Sequence, residues 1–295
     1  MAQVADGAGR NEAAGAADGI GADEIAGLAG LFADGPLALL TGAGVSTDSG
    51  IPDYRGAGTP PRTPMSIDQF TRDEAYRRRF WAGARAGADR LAPVQPNAGH
   101  RAAAELERDG YLSGVITQNV DGLHARAGSV NLAELHGNGA VIRCIPLDHR
   151  FSREEVLRWF DVANPGFAER WADAEITPDG DAAVTDTTGV RVPVCPACGG
   201  MLRPDVVYFG EVVPQRVFAH AERIVAGAAG LLVAGTSLAV NTGMRLVHRA
   251  ERRGIPLAVI NRGPTAIDGR DSVRLRIEGG TSEALTALVS RLAAR

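Results

Sequence analysis

The chain has 295 residues, 45% of them hydrophobic and 22% charged, with a formal net charge of -4 at pH 7 and a pI near 5.9. That balance argues against a general nucleic-acid binder, which would carry a basic face or stripe. The sequence lacks the run of roughly 18 to 20 apolar residues that a membrane helix needs, and its start lacks a signal-peptide pattern, so we expect a soluble cytoplasmic protein.

The numbers of cysteine and lysine residues limit which disulfide and lysine chemistry the chain can have. Three cysteines argue against a disulfide framework and favour a reducing compartment. All 31 basic residues are arginine, and the sequence contains no lysine. Any chemistry on lysine side chains must therefore act on another molecule.

The predicted elements alternate along the chain. Residues 1–22 are rich in Ala, Gly and Asp and are expected to form a disordered tail before a single folded domain over 23–295. Apolar runs predict strands at 37–40, 113–117, 231–234 and 256–260, and helical patterns lie at 98–108, 214–226 and 242–253. This alternation predicts an α/β fold, a Rossmann-like parallel sheet with helices on both faces and ligands at the carboxyl ends of the strands.

A glycine-rich turn follows the first predicted strand. Gly42, Ala43 and Gly44 would let backbone N–H groups approach a pyrophosphate without interference from a Cβ atom. The spacing is G-x-G followed by Gly50, which differs from the usual G-x-G-x-x-G of dehydrogenases, and a tight structural turn would use glycine equally well. The turn alone therefore leaves a dinucleotide site and a purely structural role open.

Residues at about 137–203 contain the cysteines, proline, aspartate and a polar run, and their hydrophobic periodicity is weak. We interpret them as a small inserted module. Within it, Cys195 and Cys198 form a C-x2-C knuckle that can bind one zinc ion, with Cys144 as a third ligand upstream. Leu147 stands where a fourth ligand is expected and cannot bind metal. Asp148 or His149 could supply the fourth bond, and the alternative is a degenerate knuckle held by packing alone.

Five motifs in fixed order carry a family resemblance. They are GAGVSTDSGIPDYR at 42–55, QNVDGLH at 118–124, ELHG at 134–137, the C-x2-C at 195–198 and RPDVVYFGE at 203–211. Together they resemble the sirtuin family over residues 35–285. The segment at 78–82 and the Gly-Pro-Thr at 263–265 are most similar to class II sirtuins.

The resemblance implies an NAD-dependent protein lysine deacetylase. In that reaction an acyl-lysine oxygen attacks C1′ of the nicotinamide ribose, nicotinamide leaves, and the acyl group passes to ADP-ribose. His136 would be the general base, because imidazole titrates near neutrality. Asp121 would bind the nicotinamide carboxamide, and Asn119 would orient the ribose with an uncharged dipole. His124 is assigned a structural role.

The resemblance also implies which residues contact NAD, zinc and the peptide. The NAD contacts share the loops after the strands, and they are Gly42, Ala43, Gly44, Ser46, Thr47, Asp53, Tyr54, Arg55, Gln118, Asn119, Val120, Asp121, Gly235, Thr236, Ser237, Asn261, Arg262 and Gly263. Cys144, Cys195 and Cys198 would hold one structural zinc. An acyl-lysine protein or peptide is expected to lie between 206–210 and 239–243 as an added strand.

The acyl group and the reaction class have alternatives. Desuccinylating relatives carry a Tyr-x2-Arg pair after a tryptophan, and alignment on Trp81 puts Ala84 and Gly87 there, which predicts neutral acyl groups. Tyr76 and Arg79 share the spacing but precede Trp81 and are expected on the helix surface. A longer-chain neutral lysine deacylase, a protein ADP-ribosyltransferase and a silent NAD-binding sensor remain open, and the oligomeric state is not predicted.

Overall fold

The computed structural model of the chain describes residues 19–53, 65–175 and 181–294. Its strands are β1 (Leu37–Thr41), β2 (Leu112–Thr117), β3 (Leu132–Glu134), β4 (Gly137–Cys144), β5 (Arg150–Ser152), β6 (Leu202–Val206), β7 (Gly230–Ala234), β8 (Leu257–Asn261) and β9 (Val273–Glu278). Its helices are α1 (Ala22–Gly30), α2 (Ile67–Arg72), α3 (Glu74–Leu91), α4 (Ala98–Arg108), α5 (Leu123–Ala127), α6 (Arg153–Ala163), α7 (Phe167–Arg170), α8 (Gln215–Ala226), α9 (Asn241–Arg252) and α10 (Thr281–Ala293).

Six strands form one parallel sheet in the order β3-β2-β1-β7-β8-β9. The chain proceeds from β1 towards β3 on one side and returns through β7 on the other. The sheet therefore has a topological switch point between β1 and β7, where open α/β sheets bind ligands at the carboxyl edge. The predicted parallel α/β fold is confirmed, and the predicted strands and helices agree with the observed ones to within one residue at each end.

Side-chain alternation along β1 explains why helices cover both faces. Ala38 and Leu40 point into a core shared with α8 and α9, whereas Leu37 and Leu39 point into a second core shared with α1, α4 and α10. All of these side chains are at most 1% exposed, and burying each leucine contributes roughly 1.5–3 kcal/mol. The central strands are thus apolar on both faces, as parallel strands require.

A smaller module lies between β3 and α8 in the sequence. Its three-stranded sheet has the order β5-β4-β6, and β4 pairs antiparallel with both neighbours. Trp81 of α3, Phe160 of α6 and Phe167 of α7 form its apolar core with Cys144 and Cys195. Helix α6 begins where the Ser152 hydroxyl accepts a hydrogen bond from the Glu155 backbone N–H, a capping-box start. In the described part of the chain, no helix is long and apolar enough to cross a bilayer.

Candidate functional site

The glycine turn after β1 packs directly against the turn after β7. The Gly44 N–H donates to the Gly235 carbonyl oxygen over 2.8 Å. A Cβ atom on Gly42 would lie 2.6 Å from the Thr236 Cβ, and one on Gly44 would lie 2.9 Å from the Gly235 oxygen. Glycine is therefore required by the close approach of the two turns, and this approach brings two of the predicted NAD-contacting segments to the switch point.

Polar side chains from the loop after β2 tie this turn in place. Asn119 Nδ2 donates to the Gly42 carbonyl oxygen over 3.1 Å and to Ser46 Oγ over 3.0 Å. Ser46 Oγ in turn donates to Asp121 Oδ2 over 2.7 Å, while the Leu123 N–H donates to Asp121 Oδ1 over 2.9 Å. Both carboxylate oxygens of Asp121 are therefore held, so its orientation is set before any ligand binds.

His136 lies between β3 and β4 with a defined tautomer. Its Nδ1 is 2.9 Å from the Gln118 carbonyl oxygen. Because a carbonyl can only accept, Nδ1 carries the proton and the Nε2 lone pair can take up another. Burial lowers the pKa of His136 below its usual value, and the hydrogen bond to Gln118 offsets part of that effect. His136 is therefore neutral at pH 7.

Gln118 links the β2 loop to the β7 turn. Its Nε2 donates to Thr236 Oγ1 over 2.9 Å, and the same hydroxyl oxygen accepts the Leu238 N–H over 3.1 Å. The Val120 carbonyl oxygen accepts the Gly139 N–H over 2.8 Å. The side chains of Gln118 and Thr236 thus join the loop after β2 to the turn after β7, and the Gln118 carbonyl oxygen holds His136.

His100 and His124 are buried as neutral groups. His124 Nε2 is 3.0 Å from Thr41 Oγ1, and its ring is 4.8 Å from the His100 ring. Burial lowers the pKa of His124 to about 3 and that of His100 to about 4. The geometry fits the structural role expected for His124. His100 was missed in the sequence, although Asn97, three residues before it, gives a capping pattern at the start of α4.

The predicted NAD contacts that follow β7 and β8 lie at the same edge of the sheet. The Gly235 N–H donates to the Ile260 carbonyl oxygen over 2.9 Å, and the Asn261 side chain donates to the carbonyl oxygens of Arg262 and Gly263. Ser237 follows Thr236 in the β7 turn. Thr47, predicted with the glycine turn, donates from Oγ1 to the Gly44 carbonyl oxygen over 3.0 Å, and Asp53 lies within the described residues. Tyr54 and Arg55 lie outside the described residues.

The small module gathers a metal-ligand set of three cysteines and one histidine. The ligand atoms of Cys144, His149, Cys195 and Cys198 all lie within 4.8 Å of one another. Asp148 is outside this cluster and pairs with Arg150 over 3.3 Å. Among the described residues the fourth ligand position is therefore occupied by His149. Cys3His is a usual donor set for structural zinc, so the residues fit a zinc ion.

Helix α3 contains the residues on which the acyl-group prediction rests. Trp81 and Ala84 are completely buried and Gly87 is buried as well. Tyr76 and Arg79 pair with each other, because the Arg79 guanidinium lies 4.6 Å from the centre of the Tyr76 ring. Arg79 is exposed, as expected for the helix surface, and Tyr76 is half-buried.

Comparison with known proteins identifies the family. The model of the Sir2 family matches residues 42–242, which span the glycine turn, His136, the cysteines and the β7 turn.

The chain belongs to the Sir2 family.

Relatives match this sirtuin over most of its length. It is 48% identical over 259 residues to "NAD-dependent protein deacetylase 1" of Mycobacterium avium (strain 104), which covers 87% of this chain and 91% of the relative. It is 38% identical to "NAD-dependent protein deacylase SIR4" of Monosiga brevicollis, covering 87% and 85%. The solved structure described as "Sir2-p53 peptide-NAD+" has a TM-score of 0.74 at 29% identity and covers 92% of this chain and 99% of that one.

Proposed function

We propose that this sirtuin is an NAD-dependent protein lysine deacetylase. It transfers the acyl group of a lysine side chain to ADP-ribose and releases nicotinamide. The observation that carries this proposal is His136, whose Nδ1 is bound to the Gln118 carbonyl oxygen and whose Nε2 is available as a base beside the Asn119 and Asp121 cluster. The names of the relatives, deacetylases and a deacylase, support the same reaction.

NAD is the co-substrate, and it supplies the ribose carbon that accepts the acyl oxygen. Its diphosphate would lie along Gly42, Ala43, Gly44, Ser46 and Thr47, where glycines allow close approach of the backbone. Its adenosine would lie against Gly235, Thr236, Ser237, Asn261, Arg262 and Gly263. Asp53, Tyr54 and Arg55 would cover the nicotinamide end, with Gln118, Asn119, Val120 and Asp121 beneath the ribose.

His136 would accept a proton from a ribose hydroxyl at Nε2. The bond from Nδ1 to Gln118 fixes the ring, and general-base assistance of this kind contributes about 10²- to 10⁴-fold in rate. Asp121 would bind the nicotinamide carboxamide and Asn119 would orient the ribose, because their own hydrogen bonds hold both side chains in one position. Covering the nicotinamide end would exclude water, which competes with the acyl oxygen.

We also propose one structural zinc ion held by Cys144, His149, Cys195 and Cys198. The metal would supply no chemistry to the reaction, since its ligands belong to the small module, but would join the β4 turn to the C-x2-C knuckle. With all three cysteines bound to zinc, none would form a disulfide, which is consistent with a protein of the reducing cytoplasm. The net charge of -4 is consistent with a protein that binds no nucleic acid.

The acyl groups removed would be neutral. Ala84 and Gly87 offer no cation where desuccinylating relatives have a Tyr-x2-Arg pair, and Arg79 is exposed on α3. A carboxylate at the end of the acyl chain would remain unpaired there, which is unfavourable in a buried site. A clear succinyl-over-acetyl preference in peptide kinetics would contradict this expectation.

The decisive experiment is mass spectrometry of the protein incubated with NAD and an acetyl-lysine peptide. We expect loss of the acetyl group with matching O-acetyl-ADP-ribose. His136→Ala should lower turnover by about 10²-fold or more while NAD binding persists, and the matched control His248→Ala, at an exposed position on α9, should not. ADP-ribose attached to protein with the peptide unchanged would instead establish a transferase, and wild-type turnover by His136→Ala would refute the mechanism.

A further inference from the structure

Helices α8 and α9 lie side by side on one face of the main sheet and are joined by a row of arginines. Arg245 of α9 lies over the Phe218 ring of α8, 3.9 Å from its centre. One turn further on, Arg249 pairs with Glu222 over 2.5 Å. Arg253, which caps α9, donates to a carbonyl oxygen at the end of α8 over 2.8 Å. The outward surface of the two helices, with Arg253, is called the arginine face below.

The arginine face is positive although the chain as a whole is negative. It carries six arginines and two glutamates, a charge of +4 in a chain of net charge -4, so the rest of the chain carries -8. Both glutamates are already paired, Glu222 within the row and Glu251 with Arg270 over 3.0 Å. Five arginines of the face are exposed and form no ion pair with any residue that the structure describes, and they are Arg216, Arg223, Arg245, Arg252 and Arg253.

The stability of the two helices does not account for all of these cations. The first turn of a helix carries partial positive charge, which favours acidic residues there and disfavours cations. Neither helix has an acidic residue in its first turn, and Arg216 stands in the first turn of α8. Arg223 and Arg252 lie in last turns, where a cation is favourable, but Arg216 and Arg245 gain nothing from the helix ends. A local choice that opposes the helix indicates a role in binding.

The arginine face begins beside the expected peptide site. Helix α8 starts at Gln215, shortly after the segment 206–210, and α9 starts at Asn241, within the segment 239–243. The acyl-lysine peptide is expected between these two segments, so the flanks of a bound substrate can reach both helices. At 1.5 Å per residue the arginines extend for about 10–12 Å along each helix axis, which three or four residues of an extended peptide would span.

A short acidic segment fits this face better than a nucleic acid does. Duplex DNA carries one negative charge per about 1.7 Å and covers a wide surface, so much of it would face the net negative remainder of the chain. A few carboxylates would meet the arginines alone, and each guanidinium group can bind a carboxylate through two hydrogen bonds. Guanidinium groups also keep their charge under conditions that acylate amines, which are the conditions that produce acyl-lysine.

We propose that the arginine face docks an acidic segment of the acyl-lysine protein substrate. This sirtuin then acts preferentially on acyl-lysines that have several aspartate or glutamate residues close by in the sequence. The five unpaired arginines determine specificity without touching the reacting groups. The inference rests on the proposed deacylase function and deepens it by naming the substrate class.

The test compares two acetyl-lysine peptides with NAD saturating. One peptide has four glutamates at each end, and the other has four glutamines at the same positions. At low salt we expect KM to be about tenfold lower for the glutamate peptide with kcat unchanged, because each of several exposed ion pairs contributes about twofold. This KM ratio should fall towards 1 at about 0.5 M salt, where exposed ion pairs are screened.

A matched pair of double variants assigns the effect to the arginine face. Arg223→Gln with Arg252→Gln removes two charges that have no ion-pair partner among the described residues, and it should lower the KM ratio to about threefold. Arg101→Gln with Arg291→Gln removes the same charge from exposed positions on α4 and α10, which cover the opposite face of the sheet. This control should keep the wild-type ratio.

A wild-type ratio of 1 at low salt, or equal ratios in the two double variants, overturns the inference. The wild-type ratio and its salt dependence need no variant, so they decide the matter even if a variant fails to fold. Tighter binding of a DNA duplex than of the glutamate peptide would assign the face to nucleic acid and overturn the inference as well. If the glutamine peptide is consumed with NAD but the ratio is 1, only the docking role is refuted, whereas no turnover of either peptide refutes the proposed function and this inference with it.

Discussion

The residue after the proposed base is the most constrained glycine in the site, and replacing it tests how His136 is held. Gly137 has φ +82° and pairs with Val206 across β4 and β6. A Cβ atom there would lie 2.0 Å from the Asp205 carbonyl oxygen and 3.0 Å from the Val206 Cα, which are backbone atoms that cannot rotate away. Gly137→Ala must therefore strain this backbone and also separate the two strands.

The magnitude has two parts that a matched variant separates. The left-handed conformation costs a residue with a Cβ atom about 1–2 kcal/mol. Overpacking adds about 1–3 kcal/mol, so Gly137→Ala should lower the free energy of unfolding by about 2–5 kcal/mol in total. Gly269 has nearly the same φ, +78°, but a Cβ atom there would meet nothing within 4 Å. Gly269→Ala should therefore cost only the conformational part.

Urea unfolding of the two variants and the wild type measures these values, with deacetylase turnover measured on the same samples. We expect Gly137→Ala to be less stable than Gly269→Ala by at least about 1 kcal/mol. It should also lose turnover, because strand separation moves His136 away from Gln118. Equal losses of stability in the two variants, or wild-type turnover in Gly137→Ala, would show that this close approach does not hold the base.

Three further predictions concern pH, metal and acylation. The pKa values of His124 and His100 are lowered from 6.5 to about 3 and about 4, so below pH 6.5 the unfolded chain binds more protons than the folded chain does. The stability that is present above pH 6.5 should therefore be lost as pH falls towards 4. His124→Gln should flatten the curve of the free energy of unfolding against pH. Metal analysis should find one zinc per chain, lost in His149→Ala and kept in Asp148→Asn, while equal zinc in both would exclude His149 as a ligand. Because the chain has no lysine, intact mass after treatment with an amine-acylating reagent should show at most one stable amide, at the terminal amine, and several would contradict this.

Much of the fold could be predicted because it depends on short-range patterns. The helix predicted at 98–108 is α4 with the same limits, and the strand predicted at 37–40 is β1 with one residue added. The continuous apolar run of β1 and the amphipathic period of α4 are properties of consecutive residues, which a sequence displays directly. The motif at 134–137 likewise identified His136, whose tautomer then followed from its contact with Gln118.

The sequence by itself determined the α/β class, the family and the residue types of the site. Only the tertiary structure decided between Asp148 and His149 as the partner of the three cysteines, because adjacent residues differ in direction and the choice depends on where Cys195 and Cys198 fold back. It also revealed the buried His100 and the unpaired hydroxyl of Tyr208. Burial and hydrogen bonding arise from contacts between residues far apart in the chain, so no local pattern contains them.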